Sequence, residues 1–261
     1  MNSASLVNGV TYSENKIYTL LQTPKSLRVY EDQEPFALQK IINIDDVKNP
    51  EDLAYSNRSN CLYITDGSET CIWKFDLSND RLTKWLLQIS EPYTLSVSTE
   101  GHVLILKESQ LELYGPDAYL LHRIQLSNEV RQPKHAIQTS TGDFIILHRM
   151  LSSSSDLWVV SKVSSDGQVI NRYIPSDVWE KFGQPCHLAY DSVRNRAFVV
   201  DLAHKVTLLD GDFRWSQILL SKDTHGINLP TRGSYSPQKF QLIIGLWGNG
   251  TNVYQISQGM N

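Results

Sequence analysis

The chain has 261 residues, of which 41% are apolar and 20% charged, a composition that excludes disordered, collagen-like and coiled-coil proteins. Its apolar runs reach only about four residues, far short of the roughly 18 that span a membrane, so we expect no membrane partner. The net charge of −4 disfavours a general nucleic-acid binder. The start MNSASLVNGV has no secretion signal and the three cysteines lack zinc-finger spacing, which predicts a cytoplasmic protein with unpaired thiols.

A repeat of 41 to 52 residues organises the chain. Five repeats begin with a proline, followed five positions later by an aromatic, aliphatic or amide residue, and one repeat begins with a valine. The repeats start at Val7, Pro50, Pro92, Pro133, Pro185 and Pro230. The spacing matches four short strands, and the repeat contains no helical pattern.

Each repeat presents its strands in the same order. A polar turn follows the first strand, and a block of about four apolar residues then predicts a buried second strand. An alternating third strand, another turn and a fourth strand follow. The clearest apolar blocks are 17–21, 62–64, 103–106, 144–147, 197–200 and 242–244. The last repeat ends after its third strand, at Ile256.

A four-stranded meander has two apolar faces and cannot bury both alone, so repeated meanders stack radially. We therefore predict an all-β, six-bladed β-propeller of four-stranded antiparallel blades, with residues 1–261 in one domain. We expect the ring of blades to close in one of two ways. Either Met1–Leu6 pairs with Val253–Ile256, or this sequence is a fragment of a longer chain that supplies the closing strand.

Two repeats carry a family resemblance. The segments NPEDLAYSNRSNCLYITDGSETCIWKFD, at 49–76, and QPCHLAYDSVRNRAFVVDLAHKVTLLD, at 184–210, resemble the NHL-repeat family of six-bladed propellers. Both contain the family's proline, its turn and its strand-ending aspartate, Asp66 or Asp201. The other four repeats have Gln22, Lys107, His148 and Gly245 at the aspartate position.

The resemblance implies a binding module. Similar propellers form the C-terminal end of tripartite-motif ubiquitin ligases, where they bind a protein or RNA. Other six-bladed relatives are enzymes with sites in the central channel, such as the peptidyl-hydroxyglycine amidating lyases. Fold alone does not choose between these functions.

The residues two positions after each repeat start are expected to ring one mouth of the channel. They are Gly9, Asp52, Thr94, His135, His187 and Arg232. None of them is apolar, which favours a wet, ligand-facing surface; the alternative is a set of polar groups that only hydrogen-bond to neighbouring strands. Loops between second and third strands are expected on the same face and add Arg149 and Trp247.

We predict that this mouth captures a protein or peptide partner, or a small anionic ligand, without a cofactor. The predicted ligand-binding residues are Asp52, His135, Arg149, His187, Arg232 and Trp247. One alternative is a metal-dependent lyase or hydrolase. Its catalytic residues would be His135, His187 and Arg232, with a divalent ion such as zinc or calcium on His135, His187 and Asp52. A second alternative is RNA binding, which acidic residues on the same face disfavour.

Overall fold

The computed structural model describes residues 6–13, 15–89, 94–151, 156–175, 181–248 and 250–256. Six antiparallel sheets follow one another along the chain, and the fold is the predicted all-β, six-bladed β-propeller. Within the described ranges the sole helix is α1 (Lys222–His225), and no helix has the length and hydropathy needed to cross a bilayer.

The strands pair in chain order within each sheet. The first sheet contains β1 (Val7–Ser13), β2 (Lys16–Gln22), β3 (Lys25–Glu31) and β4 (Leu38–Asn43). The second contains β5 (Pro50–Ser56), β6 (Cys61–Asp66), β7 (Cys71–Asp76) and β8 (Arg81–Leu87). The third contains β9 (Leu95–Val97), β10 (Val103–Leu106), β11 (Gln110–Tyr114) and β12 (Leu120–Gln125).

The remaining sheets follow the same order. The fourth contains β13 (Arg131–Gln138), β14 (Phe144–Leu151), β15 (Asp156–Val163) and β16 (Val169–Tyr173). The fifth contains β17 (Pro185–Asp191), β18 (Arg196–Asp201), β19 (Lys205–Asp210) and β20 (Ser216–Ser221). In the described part of the chain the sixth sheet has three strands, β21 (Pro230–Ser236), β22 (Gln241–Leu246) and β23 (Gly250–Gln255).

The chain divides into two compact units. The first unit comprises residues 1–93 and 231–261, and thus the first, second and sixth sheets. The second unit comprises residues 94–230, and thus the third, fourth and fifth sheets. Pro230, the first residue of β21, is counted with the second unit.

The predicted repeat starts agree well with the strands. β1, β5, β17 and β21 begin at the predicted residue, whereas β13 begins two residues before Pro133, at Arg131. Pro92 lies outside the described residues. The predicted closing segment also lies outside them, except for Leu6, which forms an isolated bridge with Trp247 at the end of β22.

The second strands are deeply buried, as their apolar blocks predicted. All six residues of β6 are buried, and so are all four of β10. Most of the exposed large apolar side chains of the described residues lie on fourth strands, such as Leu38 and Leu87. The hydrophobic core therefore lies along the second and third strands.

The prediction of unpaired cysteines is confirmed, since all three thiols are free. In the register of β6 with β7, Cys61 lies opposite Asp76 and Cys71 lies opposite Asp66. The two cysteines of this sheet are therefore at opposite ends of the strand pair, too far apart to form a disulfide.

The strand-ending aspartates fasten the linkers that lead into their sheets. The Asp66 carboxylate accepts hydrogen bonds from the amides of Lys48 and Asn49, at 2.7 and 3.1 Å, and from those of Ser68 and Glu69 in its own turn. The linker before β5 is therefore bound to the turn after β6. We call this arrangement an aspartate clamp.

The fifth sheet has the same aspartate clamp. Asp201 accepts the amides of Gly183 and Gln184, at 2.7 and 2.8 Å, and that of Ala203 at 2.9 Å. The linker approaches so closely that a Cβ on Gly183 would lie 2.6 Å from the Cβ of Ala203, which explains the glycine. Asp66 and Asp201 are both fully buried, so we assign them a structural role.

Candidate functional site

Two of the predicted site residues form a stacked histidine pair in the second unit. The ring centroids of His135 and His187 are 3.9 Å apart, with the planes inclined by 41°. Each histidine follows a register shift at the start of its strand, β13 or β17, so the same local irregularity places both rings. A ring nitrogen of one lies within 4.8 Å of a ring nitrogen of the other, close enough for both to bind one metal ion.

The histidine pair is buried rather than solvent-exposed. His135 is 1% exposed and His187 is 6% exposed, which corrects the expectation of a solvent-facing surface at these two positions. The polar residue type indicated a special position, but each imidazole contacts the other ring and is almost fully shielded from solvent.

Asp52 and Arg232 form an ion pair in the first unit. The Arg232 Nε donates to Asp52 Oδ1 at 3.3 Å, and its Nη1 and Nη2 donate to the carbonyl oxygens of Thr231 and Glu51 at 3.0 and 2.8 Å. Asp52 is fully buried and also accepts the amide of Leu53. The Arg232 guanidinium thus connects β21 with β5. That a ligand binds to Arg232 or Asp52 stays a prediction.

The other two predicted residues are accessible. Trp247 follows β22 and is 48% exposed. Arg149 lies in β14, is half-buried, and places its guanidinium carbon 4.8 Å from the ring centre of Trp158. Arg149 is the predicted residue that opens into a cleft of the second unit.

This cleft, which we call the linker cleft, has a volume of about 530 Å³. The turn after β10, the linker from β12 to β13 and the end of β14 form its walls. Its lining residues are Glu108, Ser109, Leu126, Ser127, Asn128, Val130, Arg131, Gln132 and Arg149. Most of them are polar, and the sequence prediction had named only Arg149 as a binding residue. Arg131 and Gln132 were missed although they directly precede Pro133, the predicted strand start.

Positive charge is concentrated beside the linker cleft. Arg131 and Arg149 are direct partners in the register of β13 with β14. Lys134 places its Nζ 5.9 Å from the centre of the same Trp158 ring that Arg149 covers. Among the described residues neither Arg131 nor Lys134 forms an ion pair, so both cations are available to an anion.

A buried histidine supports the Arg149 backbone. The Nδ1 of His148 donates to the Arg149 carbonyl at 2.8 Å, and its Nε2 accepts from the Ser161 hydroxyl at 2.8 Å. Ser161 Oγ in turn accepts from the Nε of Arg172 at 3.2 Å. Burial lowers the pKa of His148 to about 4, against the opposing effect of the Arg149 carbonyl, so the ring is neutral at pH 7.

A second cleft, of about 620 Å³, lies in the first unit. Tyr18, Tyr55 and several amide side chains line it, and an ion pair between Lys40 and Asp80 lies at its wall. This cleft therefore lacks the concentration of available cations that distinguishes the linker cleft.

Comparisons with known proteins support the fold and no single activity. No protein-family model matches the sequence, and no curated protein matches it. Among solved structures, the chain resembles hydrazine synthase from Kuenenia stuttgartiensis with 13% identity and a TM-score of 0.73, over 98% of this chain and 97% of that one. It resembles a catalytically inactive histidine-to-alanine variant of virginiamycin B lyase from Staphylococcus aureus, solved with quinupristin, with 8% identity and a TM-score of 0.66, over 98% and 97%.

A third similar structure is a nidogen/laminin complex, with 16% identity and a TM-score of 0.63, over 88% of this chain and 90% of that one. Identities this low show the six-bladed fold alone. The more specific resemblance to NHL repeats stays a prediction from the sequence.

Proposed function

We propose that this propeller is a binding module that captures a protein or peptide, or a small anionic ligand, in the linker cleft. The observation that carries the proposal is the pairing of Arg131 with Arg149 at the wall of an open cleft of about 530 Å³. A concave polar site with a few convergent charged groups is the usual form of a ligand site. Arg149 was among the residues that the sequence analysis predicted to bind.

The rest of the cleft suits a partner with its own polar groups. Ser127 and Asn128 in the linker, together with Gln132, offer hydroxyl and amide groups that both donate and accept hydrogen bonds. The nidogen/laminin structure adds support, since a propeller of similar fold takes part in a protein complex there. Both points favour a binding module over a channel enzyme.

Site-specific photo-cross-linking tests the proposal. A benzophenone amino acid replaces Asn128, an exposed cleft residue, and in a control protein it replaces Val193, which is 74% exposed in the turn between β17 and β18. We expect a discrete adduct from native cell extract at position 128 that excess unlabelled protein suppresses, and no such adduct at position 193. Equal labelling at the two positions, or a competed adduct at position 193 alone, would refute the linker cleft as the binding site.

A metal-dependent enzyme is the second candidate, and the stacked histidine pair favours it. Two imidazoles with nitrogens within 4.8 Å can provide two ligands for zinc. In the similar virginiamycin B lyase, a variant with a histidine changed to alanine is described as catalytically inactive. The pair would hold the ion, which would act as a Lewis acid when bound.

Elemental analysis and zinc titration separate the two candidates. The enzyme proposal requires stoichiometric zinc that His187→Gln abolishes and that His122→Gln, at an exposed position of β12, leaves intact. The binding-module proposal expects no stoichiometric metal in either protein. RNA binding is the least supported proposal, because Glu108 shares the linker cleft with the arginines.

A further inference from the structure

We propose that the linker cleft recognises a carboxylate side chain of an acidic peptide, with Arg131 and Arg149 as the recognition residues. This inference rests on the proposed binding function and names the chemistry of its ligand. It follows from the local charge, from the way the cleft is formed and from the groups on its other walls.

The two arginines concentrate positive charge at one wall of the linker cleft. Arg131 and Arg149 are opposite each other in adjacent antiparallel strands, and like charges in that position destabilise a sheet. Lys134 adds a third cation beside Trp158. Because Arg131 is exposed and forms no ion pair with any described residue, its guanidinium can donate to a bound anion.

The linker cleft borders a sheet that has no aspartate clamp. His148 occupies in the fourth sheet the position of Asp66 in the second, and its ring bonds to Arg149 and Ser161 of its own sheet. β14 then continues for three residues beyond His148, which carries Arg149 to the cleft wall. Among described residues the linker's ion pair is Glu129 with Arg172, and Glu129 is 61% exposed.

The remaining walls select among anions. A guanidinium fork matches both carboxylate and phosphate geometry. Glu108, exposed on the turn after β10, would repel a ligand that carries a row of charges, such as a nucleic-acid backbone. The hydroxyl and amide groups of Ser127, Asn128 and Gln132 suit peptide NH and CO groups instead. A single carboxylate flanked by neutral peptide meets less repulsion from Glu108 than a row of charges does, and it suits the other walls.

Titrations followed by two-dimensional NMR test the inference on the full chain. The probes are acetyl-Gly-Glu-Gly amide, its isosteric control acetyl-Gly-Gln-Gly amide, and inorganic phosphate. We expect the glutamate peptide to cause saturable shifts in the backbone amides of 127–132 and Arg149, and the glutamine peptide to cause none. Arg131→Gln should weaken binding of the glutamate peptide about tenfold, because it removes a charge-assisted hydrogen bond. Arg214→Gln, which removes an exposed charge of the same unit, should leave binding unchanged.

Three results would overturn the inference. They are equal shifts with the glutamine peptide, stronger shifts with phosphate or a uridine oligonucleotide than with the glutamate peptide, and no saturable shift at these amides. The cross-linking at Asn128 decides the proposed function separately. A partner captured at position 128 whose binding ignores Arg131→Gln would leave the binding module standing and reject carboxylate recognition.

Discussion

The linkers into the second and fifth sheets are fastened in a different way from the linker into the fourth. In the first two cases a buried aspartate at the end of the second strand accepts two amides of the linker. In the fourth sheet a buried histidine occupies that position and bonds within its own sheet. The fourth sheet therefore has no carboxylate that binds its linker, and that linker lines the linker cleft.

The difference follows from the chemistry of the two side chains. A carboxylate has about four lone-pair sites and can bind a linker and a turn at once, whereas a neutral imidazole has one donor and one acceptor. His148 uses both on Arg149 and Ser161. The fourth and fifth sheets thus share one strand order, while the residue at this repeat position makes different contacts in each.

Removing an aspartate clamp is expected to have the largest effect. Asp66→Ala would leave four amides and the Trp73 indole NH without their acceptor, which should lower the free energy of unfolding by about 3 to 4 kcal/mol. Urea denaturation measures the change. Asp80→Asn, which removes the charge of an exposed partner of Lys40 in the same unit and tolerates the positive φ of 56° there, should change it by less than about 1 kcal/mol. Similar losses for both variants would show that Asp66 does not fasten the linker.

The histidine should make the fourth sheet sensitive to acid. His148 has a pKa of about 4 in the folded chain, chiefly because of burial, against an ordinary value of 6.5. Between these values the unfolded chain binds the proton and the folded chain does not, so stability falls as the pH decreases from 6.5 to 4. The loss should be on the order of 3 kcal/mol.

His148→Gln is the matched variant for this prediction, since an amide also donates and accepts but does not titrate. The difference in unfolding free energy between the two proteins should shrink as the pH falls from 6.5 to 4. A constant difference across this window would mean that His148 is not held neutral.

Hydrogen exchange should show the contrast between the linkers directly. The amides of Asn49 and Gln184 donate to buried carboxylates, whereas that of Asn128, in the exposed linker of the fourth sheet, donates to no described residue. We expect Asn128 to exchange much faster than the other two. Asp66→Ala should accelerate exchange at Asn49 and leave Gln184 unchanged, and comparable protection of all three amides in the unaltered chain would contradict the proposed difference.

Much of the fold was predictable because strand order depends on local patterns. The apolar blocks of the second strands and the turns between strands recur in every repeat, and β6 and β18 end at the predicted Asp66 and Asp201. His135 and His187 both lie two residues after a repeat start, which predicted that they occupy equivalent positions. Their rings are in contact, with centroids 3.9 Å apart.

The depth and environment of the site were less predictable. A polar residue at a repeat start reveals nothing about what covers it, so Asp52 and the histidines were expected to be wet although they are buried. The linker cleft depends on the register shift that sets Arg131 opposite Arg149 and on a clamp that is missing from the fourth sheet. The register shift has no local sequence pattern, whereas the missing clamp is visible in the sequence as His148 at the aspartate position.

The smallest expected effect concerns Arg131 itself. It is exposed, it forms no ion pair with a described residue, and its register partner Arg149 is also a cation. Arg131→Gln should therefore change the free energy of unfolding by no more than about 0.5 kcal/mol, with a slight gain at low salt where the repulsion is less screened. Urea denaturation at two salt concentrations, with Arg214→Gln as the control, measures this. A loss of stability comparable to that of Asp66→Ala would show that Arg131 fastens the linker, and the contrast between the fourth sheet and the clamped sheets would fail.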